Sequence, residues 1–380
     1  MRGKYFRFVG LAVFCLELAS GAATAWAGDD KLQVQIGAFG NMDYQLVGNS
    51  ASFPAQNGFA LGDAALVAKG QYGDHLRILA ESLIEFGVPD PHLGLDRFLA
   101  TYVFNDQLRL SAGRDHLATG YWNRTYNYAA INLPTIERPF FLKFEDDGGV
   151  VPSHVVGLTA EGLFNLGTSS LKYEANFGNS EKILLTGDGS GNVTGAEFSN
   201  SAPGDPSSEK TAAARLVFKP WADGGLALGL ASAWNRYDTV AETPNLAAPA
   251  LFSGLGQLLL EGEIVYSDDN FDLVGEFYGF DDQIGGMPTQ GASNNYAYYV
   301  QADIQAAEGF WPYLRLENLS VNGSDPYFQA LVAQNETLYL AGFRYDIVPK
   351  VTCLKLECRV SQVSDNPYTT EVDSQWAFGF

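Results

Sequence analysis

The sequence predicts an all-β chain, a single antiparallel barrel of about sixteen membrane-crossing strands. Apolar and polar residues alternate over segments near ten residues long, which is the mark of half-polar strands. The connectors between these segments alternate between short and long. No stretch after residue 27 approaches the length of about 18 apolar residues that a membrane helix requires. Composition narrows the function classes. Of 380 residues, 46% are hydrophobic, 18% are charged, and the net charge is −21. Such acidity argues against a nucleic-acid partner, which needs a basic surface to displace counterions. Three cysteines without C-x-x-C spacing exclude a disulfide scaffold and the usual zinc, redox and haem attachments.

Residues 1–27 read as an export signal. Arg2, Lys4 and Arg7 precede the apolar run Phe8–Leu18, and Ala25-Trp26-Ala27 supplies small residues at the cleavage position. Glu17 is an irregularity inside that run. The barrel is then assigned to 28–380, and Cys353 and Cys358, oddly spaced on one strand, point to opposite faces and do not pair.

The first strand shows the alternation well. Leu32, Val34, Ile36 and Ala38 share one face, and Gln33 and Gln35 share the other. Leu76, Ile78, Ala80 and Ile84 oppose Arg77, Glu81 and Glu85 in the third, and Tyr296, Tyr298, Val300 and Ala302 oppose Gln301 and Asp303 in the twelfth. The segments fall at 31–44, 59–72, 75–86, 95–104, 107–116, 155–164, 169–178, 211–220, 226–238, 256–266, 271–280, 295–306, 310–318, 337–348, 351–360 and 372–380. Turns after even-numbered strands are tight, as at Gly73-Asp74 and Asn105-Asp106. Connectors after odd-numbered strands are mostly long and polar: 45–58, 117–154, 179–210, 239–255 and 319–336. A soluble sandwich or propeller has no reason to alternate loop length in this way, whereas a bacterial outer-membrane barrel does. Trp376, Phe378 and Phe380 alternate at the end of the chain, as in the terminal strand of such barrels. Tyr72, Phe104, Phe177, Tyr266, Phe280 and Tyr345 stand at strand ends, where interfacial aromatic belts are expected.

Strand parity sends Lys69, Arg77, Arg97 and Arg109 inward on strands two to five. Arg315, Arg344, Lys355 and Arg359 follow on strands thirteen to fifteen, across the closing seam. A basic wall of this kind attracts anions, because guanidinium groups replace part of an oxyanion's hydration. Glu81, Glu85 and Asp115 are the acids placed to compensate the cluster Arg77, Arg97 and Arg109. Glu161, Glu174, Glu261, Glu263, Asp272, Glu276 and Asp303 occupy the other side, interrupted by Lys172 and Arg215, with Lys219 a further candidate.

The segment Gly113-Arg114-Asp115-His116 leads into Gly120-Tyr121-Trp122-Asn123, then Glu137-Arg138-Pro139, Phe144-Glu145-Asp146 and Gly157-Leu158. Over about residues 110–160 this pattern resembles bacterial outer-membrane porins of the phosphate-selective-porin-like superfamily. The resemblance implies a barrel that is often trimeric, with the long third loop, 117–154, folded into the lumen as a constriction. Arg124, Arg138, Glu137, Glu145, Asp146 and Asp147 would then sit near the eyelet, its acids facing the basic wall and setting a transverse field. Tyr126-Asn127-Tyr128 stands where histidines are expected in such relatives, so no metal or proton role transfers to it.

Other motifs carry less. Gly187-Asp188-Gly189-Ser190-Gly191-Asn192 lacks the ending of a phosphate loop and the terminal Glu of an EF-hand, and reads as an external loop tip. His116 and His154 flank the third loop and could approach each other; a metal pair is the alternative reading, interfacial hydrogen bonding is the expected one, and no metal or cofactor is assigned. The expectation is a non-enzymatic diffusion channel for small hydrophilic solutes or ions, in contact with outer-membrane lipid and lipopolysaccharide. A barrel plugged by its own loops, serving as adhesin, receptor or scaffold, is the alternative.

Overall fold

The computed structural model describes residues 32–47, 58–86, 92–126, 129–144, 148–198, 209–222, 224–242, 246, 252–284, 287–288 and 295–380. Sixteen antiparallel strands close into one barrel. They are β1 (Leu32–Val47), β2 (Gly58–Tyr72), β3 (Leu76–Glu85), β4 (His92–Asn105), β5 (Leu108–His116), β6 (His154–Leu166), β7 (Ser169–Asn179) and β8 (Lys210–Lys219). The remainder are β9 (Leu226–Tyr237), β10 (Leu255–Ser267), β11 (Phe271–Ile284), β12 (Asn295–Ile304), β13 (Phe310–Ser320), β14 (Glu336–Val348), β15 (Thr352–Val363) and β16 (Thr369–Gly379). Each strand pairs with its chain neighbours, and β1 pairs with β16 from Phe39–Gly379 to Val47–Glu371. Closure leaves no edge of unpaired backbone groups, the one way a sheet can cross hydrocarbon.

Side chains divide by the period of two. Leu228, Leu230 and Trp234 of β9 are exposed outward, while Ala227, Ala231, Ala233 and Asn235 are buried inward. Leu260 and Ile264 of β10 face out, with Leu259, Glu261 and Glu263 facing in. An apolar exterior around a partly charged interior inverts the soluble arrangement and suits lipid. The aromatic belt holds for Phe104, Phe177, Tyr266 and Tyr345, which are exposed. Phe280 differs: it shares the inward parity of Glu276 and Tyr278 and packs on Phe328, 5.2 Å between ring centroids.

Two places break the regular ladder near the third loop. In β4 the register shifts so that Glu81 faces Arg97 while Ser82 faces Leu95. Asp96 is the extra residue, a β-bulge that turns neighbouring side chains to one side. In β5, Gly113 has φ 138, and a Cβ there would lie 1.9 Å from the Phe98 carbonyl oxygen. Glycine is therefore required at this bend, beyond which Arg114, Asp115 and His116 are all buried.

The loop end carries its own structure. Strands Ile183–Gly187, Val193–Phe198 and Thr239–Ala241 form a small separate sheet, and two short helices lie in loops, α1 (Tyr121–Thr125) and α2 (Pro326–Ala330). Leu117, Trp122, Phe141 and Val150 of the third loop join Ile183, Leu185, Phe198, Tyr327 and Phe328 in one buried apolar cluster.

Candidate functional site

The third loop is bonded to both sides of the barrel. On one side the Arg124 guanidinium donates to Glu174 of β7, 2.9–3.0 Å, and lies 3.2 Å from Asp115. On the other, Lys355 Nζ of β15 donates to the carbonyls of Ala130 (2.7 Å) and Thr135 (2.8 Å). β7 and β15 are eight strands apart on a ring of sixteen, so a segment tied to both spans the lumen. Arg344 Nη1 of β14 donates to Ile131 and Leu133 carbonyls, both at 2.9 Å. Arg315 of β13 reaches Thr135 Oγ1 (2.9 Å) and the carbonyls of Glu137 (3.0 Å) and Arg138 (3.3 Å). Carboxylates meet the loop's own donors: Glu357 accepts from Ile136 N and Glu317 from Phe140 N, both at 2.5 Å, and Glu276 from Trp122 N at 2.6 Å.

Backbone requirements explain the sequence of this segment. Gly120 has φ 69, and a Cβ there would fall 2.0 Å from the Tyr278 hydroxyl and 2.4 Å from Glu276. The loop can approach β11 this closely only with glycine. Asn123 then fills a buried corner, its Nδ2 donating to the carbonyls of Leu117 and Ser153, each 3.0 Å away.

The expected lining cations do not form one uncompensated wall. Lys69 shares the parity of buried Ala65 and Val67, and Arg77 that of buried Glu81 and Leu83. Both are exposed and have no ion pair among the described residues. Arg97 pairs with Glu81, Arg109 lies 3.5 Å from Glu161, Arg315 2.6 Å from Glu317 and Arg344 2.8 Å from Asp346. Arg359 contacts Glu137 and Glu371, each at 3.0 Å, and Asp373. Asp115 is taken by Arg124 rather than by the cluster it was expected to balance. Arg138 donates to Leu142 O (2.8 Å) and stacks over Phe144, 3.9 Å from its centroid. Glu145, Asp146 and Asp147 lie outside the described residues.

The expected field between loop acids and wall is thus closed into contacts at Glu137, which bridges Arg359 and Lys143 (2.6 Å). Burial opposes ionisation of this carboxyl, but Lys143 and Arg359 outweigh it and hold it well below the usual carboxylate range. Across the lumen, Arg215 is clamped between Glu174 (2.5 Å) and Glu263 (2.6 Å).

Sequence reasoning overlooked Asp96, Glu317 and Glu357. Glu317 and Glu357 carry the same inward parity as Arg315 and Lys355, so that signal was present. Asp96 carried none, because its orientation follows from the bulge. It lies beside His116 and His154, a cross-strand pair at the root of the loop.

No family model matches the chain, and no curated protein matches it. Solved structures do. The outer-membrane channel DcaP of Acinetobacter baumannii superposes with TM-score 0.58 at 15% identity, covering 92% of this chain and 97% of that one. The anion-selective porin of Comamonas acidovorans gives 0.57 at 12%, covering 92% and 100%. The in-vitro folded trimer form of OmpT, an outer-membrane protein of Vibrio cholerae, gives 0.57 at 9%, covering 92% and 99%. The fold is that of the outer-membrane porins. At these identities the shared feature is the barrel, and the side chains that fasten the third loop must be read from this chain itself.

Proposed function

We propose that the chain is an outer-membrane porin through which small hydrophilic solutes or ions diffuse passively, with a preference for anions. The carrying observation is the third loop, bonded to β7 on one side and β13–β15 on the other. It narrows the lumen and leaves open the part of the β2–β3 wall next to the Gly73–His75 turn, beside which solutes pass. Lys69 and Arg77 stand on that wall exposed and without an acidic partner among the described residues. Fixed cations in a confined aqueous passage raise the local anion concentration. Arg315, Arg344 and Arg359 hold the loop, and Arg97 and Arg109 are paired with strand acids, so selectivity is assigned to Lys69 and Arg77. The anion-selective Comamonas porin, similar in fold, is consistent with that assignment.

In this reading residues 1–27 are the export signal removed on the way to a Gram-negative outer membrane. The apolar exterior contacts lipid and lipopolysaccharide, and three copies assemble, as in the trimer form of OmpT. Single-channel recording of the refolded mature protein in a planar bilayer, under a potassium chloride gradient, tests the proposal. The expected result is an open channel with a reversal potential favouring chloride. Potassium preference would remove the role given to Lys69 and Arg77. No conductance from folded protein would turn the reading to a loop-plugged receptor or scaffold, for which the packed cluster of Trp122, Phe141, Phe198 and Tyr327 would be the plug.

A further inference from the structure

We propose that Asp96, His116 and His154 form a binding site for a divalent transition-metal ion, zinc(II) in kind, at the root of the third loop. The three residues come from three adjacent strands: Asp96 from the bulge of β4, His116 from the end of β5 and His154 from the start of β6. His116 and His154 are directly paired across the ladder. All three are buried, at 4%, 1% and 2% exposure, and one ligand atom from each lies within 4.8 Å of the other two.

Donor accounting makes the cluster incomplete without a cation. His116 Nδ1 is 2.7 Å from the carbonyl oxygen of Asn123, which can only accept, so Nδ1 carries the hydrogen. Nε2 of the neutral ring then directs a lone pair at Asp96 Oδ1, 3.2 Å away. The same oxygen lies 2.8 Å from His154 Nε2. The other oxygen, Asp96 Oδ2, is buried with no hydrogen-bond partner, and Arg97 Nε, 4.0 Å off, is committed to Glu81. An imidazole whose far nitrogen donates to a backbone carbonyl, next to a carboxylate and a second imidazole, has the outer-shell geometry that orients metal-binding histidines. Two His and one carboxylate are a zinc donor set with the fourth position open.

Two of the three donor spacings fit after a small expansion, and the third, between the imidazole nitrogens, lies within 4.8 Å. A tetrahedral ion with ligands at about 2.0–2.1 Å separates its donors by about 3.3 Å, so the 2.8 and 3.2 Å contacts open by a few tenths of an ångström. Phe144 stacks on His154, with centroids 5.6 Å apart and planes 20° apart, and gives the site an apolar wall. Three cations lie nearby: Arg97 pairs with Glu81, Arg124 with Asp115 and Glu174, and Arg114 donates to the Asp96 carbonyl oxygen at 2.9 Å rather than to its carboxylate. Bound metal would tie β4, β5 and β6 together and, through His116 and Asn123, fix the start of the loop.

The test is titration of chelator-treated, refolded mature protein with cobalt(II), followed by its visible absorption, and with zinc(II) by calorimetry. One equivalent is expected, with the intense bands of low-coordinate cobalt and a rise in thermal midpoint. His116→Gln, His154→Gln and Asp96→Asn should each lose that equivalent, while His75→Gln, a histidine at a turn on the opposite rim, keeps it. Heat-modified migration in detergent gels confirms that each variant has closed its barrel; where one has not, the remaining two decide. No cobalt spectrum in folded wild type, or binding unchanged in the folded ligand variants, overturns the site and leaves a proton shared between Asp96 and the imidazoles as the occupant.

Discussion

Lys355 shows how a residue that parity identifies can serve an end that parity does not reveal. Its ammonium is buried and donates to Ala130 O, Thr135 O and Gln375 Oε1. Replacing it with methionine keeps the volume and strands three acceptors, each buried acceptor left unsatisfied costing about 1–3 kcal/mol. A Lys355→Met variant should unfold at lower denaturant, destabilised by about 3 kcal/mol, and should show a noisier open state as the loop loosens. Unchanged stability and quiet conductance would show that the loop is held elsewhere. Lys69 and Arg77 predict the reverse pattern. Changing both to glutamate leaves stability near wild type, since surface-type charges contribute little, and should move the reversal potential toward potassium. The inward direction of all these side chains was legible, because a strand's period fixes it. Their partners were not, because whether Arg315 meets Glu317 or loop carbonyls depends on where the loop lies.

At the scale of the element, the third loop was legible in outline through its Gly-Arg and Gly-Tyr-Trp-Asn stretches, and the structure gives their physical reasons at Gly113 and Gly120. Gly120→Ala should displace the loop from Tyr278 and Glu276 and add strain of about 1–3 kcal/mol, read as a lower unfolding midpoint. A midpoint equal to wild type would mean the backbone there relaxes freely. The bulge at Asp96 was not legible, since one extra residue in a strand leaves the composition unchanged and shows only in cross-strand register. The tie at Glu137 makes a pH prediction. Its carboxyl titrates below the unfolded value of about 4.3 because Lys143 and Arg359 outweigh its burial. A depressed folded value contributes stability that is fully present above the unfolded value and is lost as pH falls through the folded one. Conductance should therefore stay steady from neutral pH down to about 4, and Glu137→Gln should bring loop fluctuations at neutral pH. Acid-induced gating already near pH 5 that persists in Glu137→Gln would assign the sensor to another group.

For the whole molecule, all sixteen strands were legible because an exterior in lipid and an interior in water impose the same two-residue alternation on each strand. The joining of the third, fourth and seventh loops into one apolar cluster was not, since loops have no period, and Phe280 was read as a belt residue when its parity directs it inward against Phe328. Closure is where local pattern and global architecture meet. Beyond the last ladder pair, Ala38 and Phe380 exchange backbone hydrogen bonds, Ala38 N to Phe380 O at 2.9 Å and Phe380 N to Ala38 O at 3.0 Å. Deleting residues 377–380 would leave Ala38 to Asn41 of β1 without these partners, and each unpaired backbone group facing hydrocarbon costs several kcal/mol. The deletion should refold into detergent without the heat-modified gel shift of a closed barrel. Phe380→Ala keeps the backbone bonds and removes only an exposed ring, so it should still close in detergent. A deletion that closes as well as wild type would show that the seam is held by the earlier pairs from Met42–Trp376 to Val47–Glu371 alone. Failure of Phe380→Ala would instead assign the terminal ring a part in closure itself.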